Sequence, residues 1–202
     1  MLYEISQGVV RHDLALQLGK QYTQLIKKYV HELYYSEGVN VHLCREPFDS
    51  TPFYTHISCE DLCHIPIVET SQIQIYKYQL IFTDAVYSVP VPLTLYKVFT
   101  SQYIDMQEEI KETLDRHFNY NCNVLYTIGS KFGSHLPYHT DAFKWRYHQN
   151  CQFHQKRALE FMTGETIEID VGQSYTLLKP EVPHRVITTQ SNIERIFLSA
   201  GQ

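Results

Sequence analysis

The stretch from Ala158 to Leu178 reads ALEFMTGETIEIDVGQSYTLL and contains three segments with the composition of β-strands. Two of them, Ala158 to Phe161 and Thr166 to Val171, flank Thr163-Gly164-Glu165, a short glycine-containing connection that is typical of a hairpin. The third segment, Ser174 to Leu178, follows closely. The spacing predicts consecutive antiparallel strands in this part of the chain.

Similar short segments lie on both sides of this stretch. Upstream, the alternating segment Val124 to Ile128 runs into the turn-like sequence Gly129 to Gly133. Downstream, Arg185 to Thr188 and Ile193 to Ser199 continue the pattern. Many short strands separated by turns are typical of a sandwich or barrel. We therefore predict an all-β C-terminal half, residues 121–202.

The N-terminal half combines helices and strands. Apolar residues recur every three or four positions from Asp13 to Leu33, which predicts a long amphipathic helix with Asp13 as its N-cap and Gly38 beyond its end. Ser101 to Phe118 predicts a second helix, whereas Ser71 to Phe82 and Leu93 to Phe99 predict strands. We interpret residues 1–120 as helical and strand support for the β-rich half. The chain is then a single, mainly β (α+β) domain, residues 1–202.

The composition excludes several classes of protein. Hydrophobic residues make up 44% of the 202 residues and the formal net charge is -5, which favours a folded domain and argues against a nucleic-acid partner. No apolar run approaches the roughly 18 residues that a membrane span needs, and Met1 to Arg11 does not resemble a secretory signal. Five irregularly spaced cysteines favour reduced thiols, so we expect a cytoplasmic protein.

One group of residues has the spacing of a metal site. In His139-Thr140-Asp141 the imidazole and the carboxylate are two positions apart, and on a strand this spacing directs both to the same face. His184 follows the turn-like sequence Lys179 to Pro183. Two histidines and one carboxylate on one face of an ion leave its other positions open, an arrangement suited to non-haem Fe(II) and O₂ chemistry.

Arg195 comes shortly after the distal histidine. The polar run Thr188 to Asn192 between His184 and Arg195 predicts a hairpin turn, so we expect Arg195 on a neighbouring antiparallel strand, near the metal. A guanidinium group there suits bidentate binding of a carboxylate. The alternative is an ordinary ion pair of Arg195 with Glu194 or Glu168.

The ordered set His139-Thr-Asp141, His184 and Arg195 resembles the H-x-D…H…R signature of the Fe(II)/2-oxoglutarate-dependent oxygenases. It is similar in particular to the cupin-like group of aspartyl/asparaginyl β-hydroxylases and proline hydroxylases. Leu136-Pro137-Tyr138 before the motif, Arg146-Tyr147-His148 after it, and Gly172 to Tyr175 add to the resemblance. It spans about Asn123 to Gln202, and residues 1–100 match no family pattern.

The resemblance implies a double-stranded β-helix (jelly-roll, cupin-like) core and a definite chemistry. His139, Asp141 and His184 would bind Fe(II), Arg195 would pair with the distal carboxylate of 2-oxoglutarate, and O₂ would be the oxidant. Because halogenating members replace the carboxylate ligand with a small residue, the presence of Asp141 favours hydroxylation.

The substrate pocket is the next expectation. Arg146 and His148 share a strand face and could hold a carboxylate of the substrate or the co-substrate, unless that face is simply an outward-facing polar one. Tyr138 and Trp145 are candidate pocket aromatics, with core packing as the alternative. We expect a free amino acid or related small carboxylate as substrate. A peptidyl Asp, Asn or Pro hydroxylase and a non-catalytic cupin-like binding protein are the alternatives.

A second group of potential ligands occurs earlier in the chain. His56, Cys59, Cys63 and His64 lie close together, with further His and Cys residues upstream, and this mixture could bind zinc. The group lacks a second paired knuckle at the spacing of a structural zinc site. Buried thiols and ordinary histidines are therefore the default interpretation.

Overall fold

The computed structural model of the protein describes residues 1–31, 39–43, 54–55, 59–129, 136–152, 157–187 and 195–202. Two helices lie in these ranges, α1 (His12–Tyr29) and α2 (Ile104–Phe118). The strands are β1 (Tyr3–Gln7), β2 (Val39–Leu43), β3 (Tyr54–Thr55), β4 (Cys59–Glu69), β5 (Ile73–Thr83), β6 (Pro90–Thr100), β7 (Asn123–Gly129), β8 (Thr140–Asp141), β9 (Arg146–Gln152), β10 (Arg157–Phe161), β11 (Thr166–Glu168), β12 (Gln173–Leu177), β13 (His184–Val186) and β14 (Arg195–Gly201). No helix in the described ranges is long and apolar enough to cross a membrane.

The C-terminal strands form a double-stranded β-helix. A large sheet has the order β1-β12-β9-β14-β7-β2-β6-β5-β4, and a small sheet has the order β11-β10-β13. An isolated bridge between His139 and His184 connects β8 to the small sheet beside β13. Strands β7 to β14 are thus divided between the two sheets in the alternating manner of a jelly roll, and the predicted fold class is confirmed.

The N-terminal half extends and covers the large sheet. Strand β1 pairs with β12, and β2, β6, β5 and β4 continue the sheet beyond β7. Helix α1 packs on one face of the sheet, where Leu18 and Ile26 join a core with Ile196 and Leu198. The helix approaches closely because position 19 is glycine: a Cβ atom there would lie 2.5 Å from Cγ2 of Ile196. The opposite face of the sheet is left for the small sheet and the site between them.

Both predicted helices are present with shifted ends. Helix α1 begins at His12 with Arg11 as its N-cap, so Asp13 lies inside the first turn and the prediction of Asp13 as the cap is wrong. The helix ends at Tyr29, before the predicted Leu33, which with Gly38 lies outside the described residues. Helix α2 begins at Ile104 instead of Ser101, because Tyr103 is in the left-handed conformation with φ 62°.

The predicted strands are present where apolar and polar side chains alternate along the chain. The predicted hairpin is the β10–β11 pair, and Gly164 in its turn has φ +86°, a conformation that favours glycine. Strand β6 includes Pro90 and Pro92 because β2 pairs only with the part of β6 from Thr94 onwards. The prolines therefore have a neighbouring strand on one side only. Two turns were predicted, around residues 129–133 and 188–192. Apart from Gly129, both lie outside the described residues.

Candidate metal centre

The two candidate histidine ligands are held by one backbone pair. The His139 N–H donates to the carbonyl oxygen of His184 at 2.9 Å, and the His184 N–H donates to that of His139 at 3.0 Å. Asp141 is fixed separately, because its N–H donates to the carbonyl oxygen of Pro180 at 2.9 Å. All three side chains are buried. The jelly-roll strands therefore place the three groups at adjoining backbone positions.

The three side chains converge on a common point. One candidate ligand atom from each of His139, Asp141 and His184 lies within 4.8 Å of the others. The Nε2 atoms of His139 and His184 are 3.7 and 3.5 Å from the Asp141 carboxylate, too far for good hydrogen bonds. Such separations leave room for a shared ion between the three groups. Among the described residues, no other set of three His, Cys, Asp or Glu side chains gathers in this way.

In each of the two imidazole rings, Nδ1 contacts a backbone carbonyl oxygen. Nδ1 of His139 is 2.7 Å from the Pro137 carbonyl oxygen, and Nδ1 of His184 is 2.8 Å from that of Val182. A carbonyl can only accept, so each Nδ1 carries the proton and each Nε2 presents its lone pair to the centre. Ring orientation through a backbone carbonyl is the usual support for metal-binding histidines.

The charges of the site also suit a cation. Burial, followed by the neighbouring His184, lowers the pKa of His139 to about 4, so the ring is neutral at pH 7. Burial alone would raise the pKa of Asp141, but the Arg146 guanidinium group, 3.3 Å away, and the two histidines outweigh it and hold this pKa below its usual value. Oδ1 of Asp141 accepts no hydrogen bond from the described residues. The donor set therefore fits a divalent metal such as Fe(II).

A distant aspartate fixes the segment that precedes His139. Oδ1 of Asp84 accepts the backbone N–H groups of Val86 and Tyr87, each at 2.8 Å, and its Oδ2 accepts that of Tyr138 at 3.0 Å. The Ala85 N–H donates to the Tyr138 carbonyl oxygen at 2.7 Å. Sequence analysis missed Asp84. The contacts of its Oδ1 with the N–H groups two and three residues further on are those of an Asx turn, for which Asp is a typical first residue.

A cavity of about 550 Å³, measured with its open mouth, contains the metal centre. Its polar wall includes Arg146, His148, Tyr175 and Arg195, and these side chains come from three neighbouring strands of the large sheet. Its apolar wall includes Leu136, Leu159, Val186 and Phe197. Arg146, His148 and Arg195 are thus brought together with the three candidate ligands, as expected from the sequence.

His148 is held as a neutral ring with a defined orientation. Its Nδ1 is 2.9 Å from the hydroxyl oxygen of Ser199, and its ring stacks on that of Tyr175 at 4.8 Å. Burial, followed by the positive charge of Arg146, lowers the pKa of His148 well below its usual value. With Nδ1 paired to Ser199, Nε2 is the nitrogen that remains for a group in the cavity.

Tyr175 is the main pocket residue that sequence analysis did not assign. It lines the cavity from β12, and burial raises the pKa of its phenol, which therefore keeps its proton. The only signal in the sequence was the segment Gly172 to Tyr175, which the family resemblance already included.

Arg195 reaches the cavity by a different route from the one expected. The sequence analysis placed it on an antiparallel neighbour of the His184 strand, but β13 pairs with β10, whereas β14 pairs with β7 and β9. Arg195 therefore faces His184 across the space between the sheets. Glu168, one partner of the alternative ion pair, lies 3.5 Å from Arg157, and Glu194, the other, lies outside the described residues.

Two predicted pocket aromatics lie elsewhere. Tyr138 packs beneath the Arg185 guanidinium group, 4.6 Å from its ring centroid, and against Tyr87. Trp145 stacks on Phe118 and donates its Nε1–H to Oε1 of Gln202 at 2.8 Å. Both are next in sequence to a cavity-lining residue but lie at bends of the chain. The expectation that they line the pocket is wrong, and core packing is correct for Trp145.

The earlier group of His and Cys residues falls only partly within the described residues. His56 and the side chain of Cys59 lie outside them. Cys63 is half-buried, and the exposed His64 stacks on Tyr78 with ring centroids 4.5 Å apart. The stacking gives His64 an ordinary packing role on β4.

Comparisons with known proteins find distant structural similarities only. No protein-family model matches the sequence, and no curated protein matches it significantly. Among solved structures, the chain is similar to AviO1 from Streptomyces viridochromogenes, with 11% identity, a TM-score of 0.48 and coverage of 100% of this chain and 90% of that one. It is also similar to a prolyl-4-hydroxylase of Pseudomonas putida, with 10% identity, a TM-score of 0.44 and coverage of 98% and 90%. A 2OG-Fe(II) oxygenase-family protein of Burkholderia pseudomallei matches with 13% identity, a TM-score of 0.39 and coverage of 69% and 72%.

Proposed function

We propose that this protein is an Fe(II)- and 2-oxoglutarate-dependent oxygenase that hydroxylates an unactivated C–H bond of a small carboxylate-bearing metabolite, such as a free amino acid. The observation that carries the proposal is the convergence of His139, Asp141 and His184 in a cavity that also contains Arg146 and Arg195. The ligand triad alone would serve a metal-binding protein. Two guanidinium groups beside it add what an anionic co-substrate requires.

His139, Asp141 and His184 would hold the metal on one face. When bound there, Fe(II) supplies the redox chemistry with O₂ and 2-oxoglutarate. The protein's part is to leave the opposite face of the ion open to the cavity and to keep both ring Nε2 lone pairs directed at it.

Arg195 would bind the distal carboxylate of 2-oxoglutarate. Its side chain is buried in the cavity wall, where a charge-assisted pair with a carboxylate is stronger than in water. Tyr175 offers a phenolic O–H in the same wall. Because Arg195 lies on β14 of the large sheet, this sheet would fix the position of the distal carboxylate of the co-substrate.

Arg146 and His148 would bind a carboxylate close to the metal. Arg146 is 3.3 Å from Asp141, and the Ser199 hydroxyl occupies Nδ1 of His148, so Nε2 can donate to an anion when it carries the ring proton. The carboxylate is either that of the co-substrate beside the metal or that of the amino-acid substrate. Leu136, Leu159, Val186 and Phe197 form an apolar wall for an aliphatic carbon chain and exclude water.

The decisive experiment is an anaerobic titration of the apo-protein with Fe(II) and then 2-oxoglutarate. We expect a visible metal-to-ligand charge-transfer band in the wild type and its loss in His184→Ala. Metal binding without the band, in protein shown to be folded, would favour the non-catalytic cupin-like binding protein.

Substrate class is tested by succinate release in air. We expect free amino acids or related small carboxylates to stimulate release above the uncoupled rate. Stimulation by Asp-, Asn- or Pro-containing peptides alone would favour the peptidyl hydroxylase instead. A small-molecule substrate, the lack of nucleic-acid and membrane partners and a cytoplasmic location stay predictions from the sequence.

A further inference from the structure

A buried asparagine beside the cavity has no hydrogen-bond partner among the described residues. Asn150 on β9 is 0% exposed, and neither its Nδ2 nor its Oδ1 makes a hydrogen bond to any described residue. Buried amides are almost always paired, because an unpaired amide loses its bonds to water without compensation. This amide therefore lacks, among the described residues, the partners that a buried amide usually has.

The strand places Asn150 on the face of the large sheet that lines the cavity. Arg146 and His148, which precede it at two-residue intervals, both line the cavity. The alternate residues of the strand, Tyr147 and Gln149, face α1. Tyr147 belongs to the helix-side core, and Gln149 hydrogen-bonds Val10. By strand alternation Asn150 belongs with the cavity residues, one step beyond His148.

The neighbouring strand places Asn150 at the Arg195 end of the cavity. Its cross-strand partner on β14 is Phe197, a cavity-lining residue. Arg195 precedes Phe197 by two residues on the same face, beyond a register shift in the β14–β9 pairing between Ile196 and Phe197. In a regular ladder, diagonal neighbours of this kind have Cα atoms about 7 to 8 Å apart, within reach of a long side chain.

We propose that the Asn150 carboxamide is a second donor to the distal carboxylate of the dicarboxylate co-substrate that Arg195 binds. A carboxylate has about four lone-pair sites, so the guanidinium group leaves acceptor capacity for the Asn150 NH₂ group. The Asn150 carbonyl oxygen is satisfied in turn by one of the five N–H donors of the guanidinium group. This inference rests on the proposed use of 2-oxoglutarate and makes Asn150 a determinant of specificity for a 2-oxo acid with two carboxylates.

The substitution Asn150→Leu separates this role from a structural one. Leucine has the same number and branching of side-chain heavy atoms and no polar atoms, so it removes an unpaired buried amide from the ligand-free protein, and we expect its melting temperature to be unchanged or raised. The same change should weaken 2-oxoglutarate binding by about 10- to 100-fold, the usual range for one lost hydrogen bond to a charged group. If Asn150 had only a structural role, its replacement would lower both the melting temperature and the affinity for 2-oxoglutarate.

The test is a titration of the Mn(II)-loaded protein by calorimetry with two ligands. 2-Oxoglutarate carries the distal carboxylate, whereas 2-oxovalerate has the same carbon chain without it. We expect Asn150→Leu to weaken binding of the first and to leave that of the second unchanged. Asn123→Leu, at an exposed asparagine on β7, is the matched control and should behave as the wild type with both ligands.

Each other outcome is decisive. Wild-type affinity of Asn150→Leu for 2-oxoglutarate, or equal weakening of both ligands, overturns the role of Asn150 while the proposed function stands. Failure of the wild type to bind 2-oxoglutarate overturns the proposed function and this inference with it. If Asn150→Leu does not fold, Asn150→Asp replaces it. The added negative charge should weaken 2-oxoglutarate more than 2-oxovalerate, and equal effects on the two would overturn the inference.

Discussion

His139 and His184 form a hydrogen-bonded antiparallel pair in which each backbone N–H donates to the other's carbonyl oxygen, and their ring centroids are 4.5 Å apart. The two imidazoles are therefore neighbours because of one step of β-pairing, although the intervening chain includes β9 to β12. Asp141 follows two residues after His139 on the same face. The geometry of the candidate metal centre is thus set by backbone hydrogen bonds between His139 and His184 and between Asp141 and Pro180.

Removal of a ligand should abolish metal binding without unfolding the protein. We expect Asp141→Ala or His139→Ala to weaken Mn(II) or Fe(II) binding by about 100-fold or more, because changes in the supporting groups of such sites alone cost about 10- to 100-fold. Calorimetric titration under anaerobic conditions measures the effect, and circular dichroism checks the fold. His31→Ala, at an exposed histidine outside the site, is the control. Undiminished binding by either variant would remove that residue from the ligand set.

Asp84 should support the metal centre from a distance. Asp84→Ala removes the acceptor for three backbone N–H groups, including that of Tyr138 next to His139. We expect metal affinity to fall by about 10-fold or more, as for other groups that orient ligands. Asp84→Asn, which keeps one side-chain acceptor oxygen, should recover part of the loss. Equal affinities for the wild type and Asp84→Ala would show that the ligands are held without this contact.

Local periodicity explains which parts of the site were predictable from the sequence. His139 with Asp141, and Arg146 with His148, share a face because alternate residues of extended chain do so. Asp84 was not predictable, because it contacts the backbone of Tyr138, 54 residues further along the chain, and the sequence pattern contains no long-range pairing.

The same limit applies to the fold. Strand β4 was missed because Pro66 and the acidic residues at its start are untypical of strands, and an edge strand tolerates both. Arg195 was predicted on a strand next to that of His184 but lies in the other sheet. In a jelly roll, many consecutive strands lie in different sheets, and the spacing of residues does not distinguish a hairpin from such a crossing.

Arg195 should determine the affinity for 2-oxoglutarate. We expect Arg195→Ala to weaken 2-oxoglutarate binding by about 100-fold, in line with the cost of truncating one partner of a buried charge pair, while metal affinity is retained. Arg195→Lys keeps the charge without the planar fork and should recover part of the affinity. Arg157→Ala, at an exposed arginine paired with Glu168, is the matched control. Unchanged affinity of Arg195→Ala would assign the distal carboxylate to another cation.

Two cysteines should resist modification in the folded protein. Cys122 and Cys151 are free thiols that are almost fully buried. Burial raises the pKa of Cys122 to about 11 and that of Cys151 to about 12, so the reactive thiolate is scarce at pH 8. We expect peptide mass spectrometry after iodoacetamide treatment to find both unmodified in native protein and both modified in urea. Rapid labelling of either one in native protein would contradict its burial.

Gln149 should be a main stabiliser of the junction between β1 and α1. Its Oε1 accepts the Val10 N–H at 3.1 Å and the Tyr147 hydroxyl at 2.7 Å, and its Nε2 donates to the Val10 carbonyl oxygen at 2.8 Å. Gln149→Leu leaves a buried N–H and a buried C=O without partners, so we expect the free energy of unfolding to fall by about 2 to 4 kcal/mol. Urea denaturation measures this, with Gln79→Leu, at an exposed glutamine on β5, as the control that should change stability by less than about 0.5 kcal/mol.

A second variant tests the same junction from the opposite side. A Cβ atom at Gly8 would lie 2.5 Å from the amide carbon of Gln149, so Gly8→Ala should displace that amide and destabilise the protein by about 1 to 3 kcal/mol. Because both changes break the same hydrogen bonds to Val10, the double variant should lose less than the sum of the two single losses. Full additivity would mean that Gly8 acts on stability independently of the Gln149 amide.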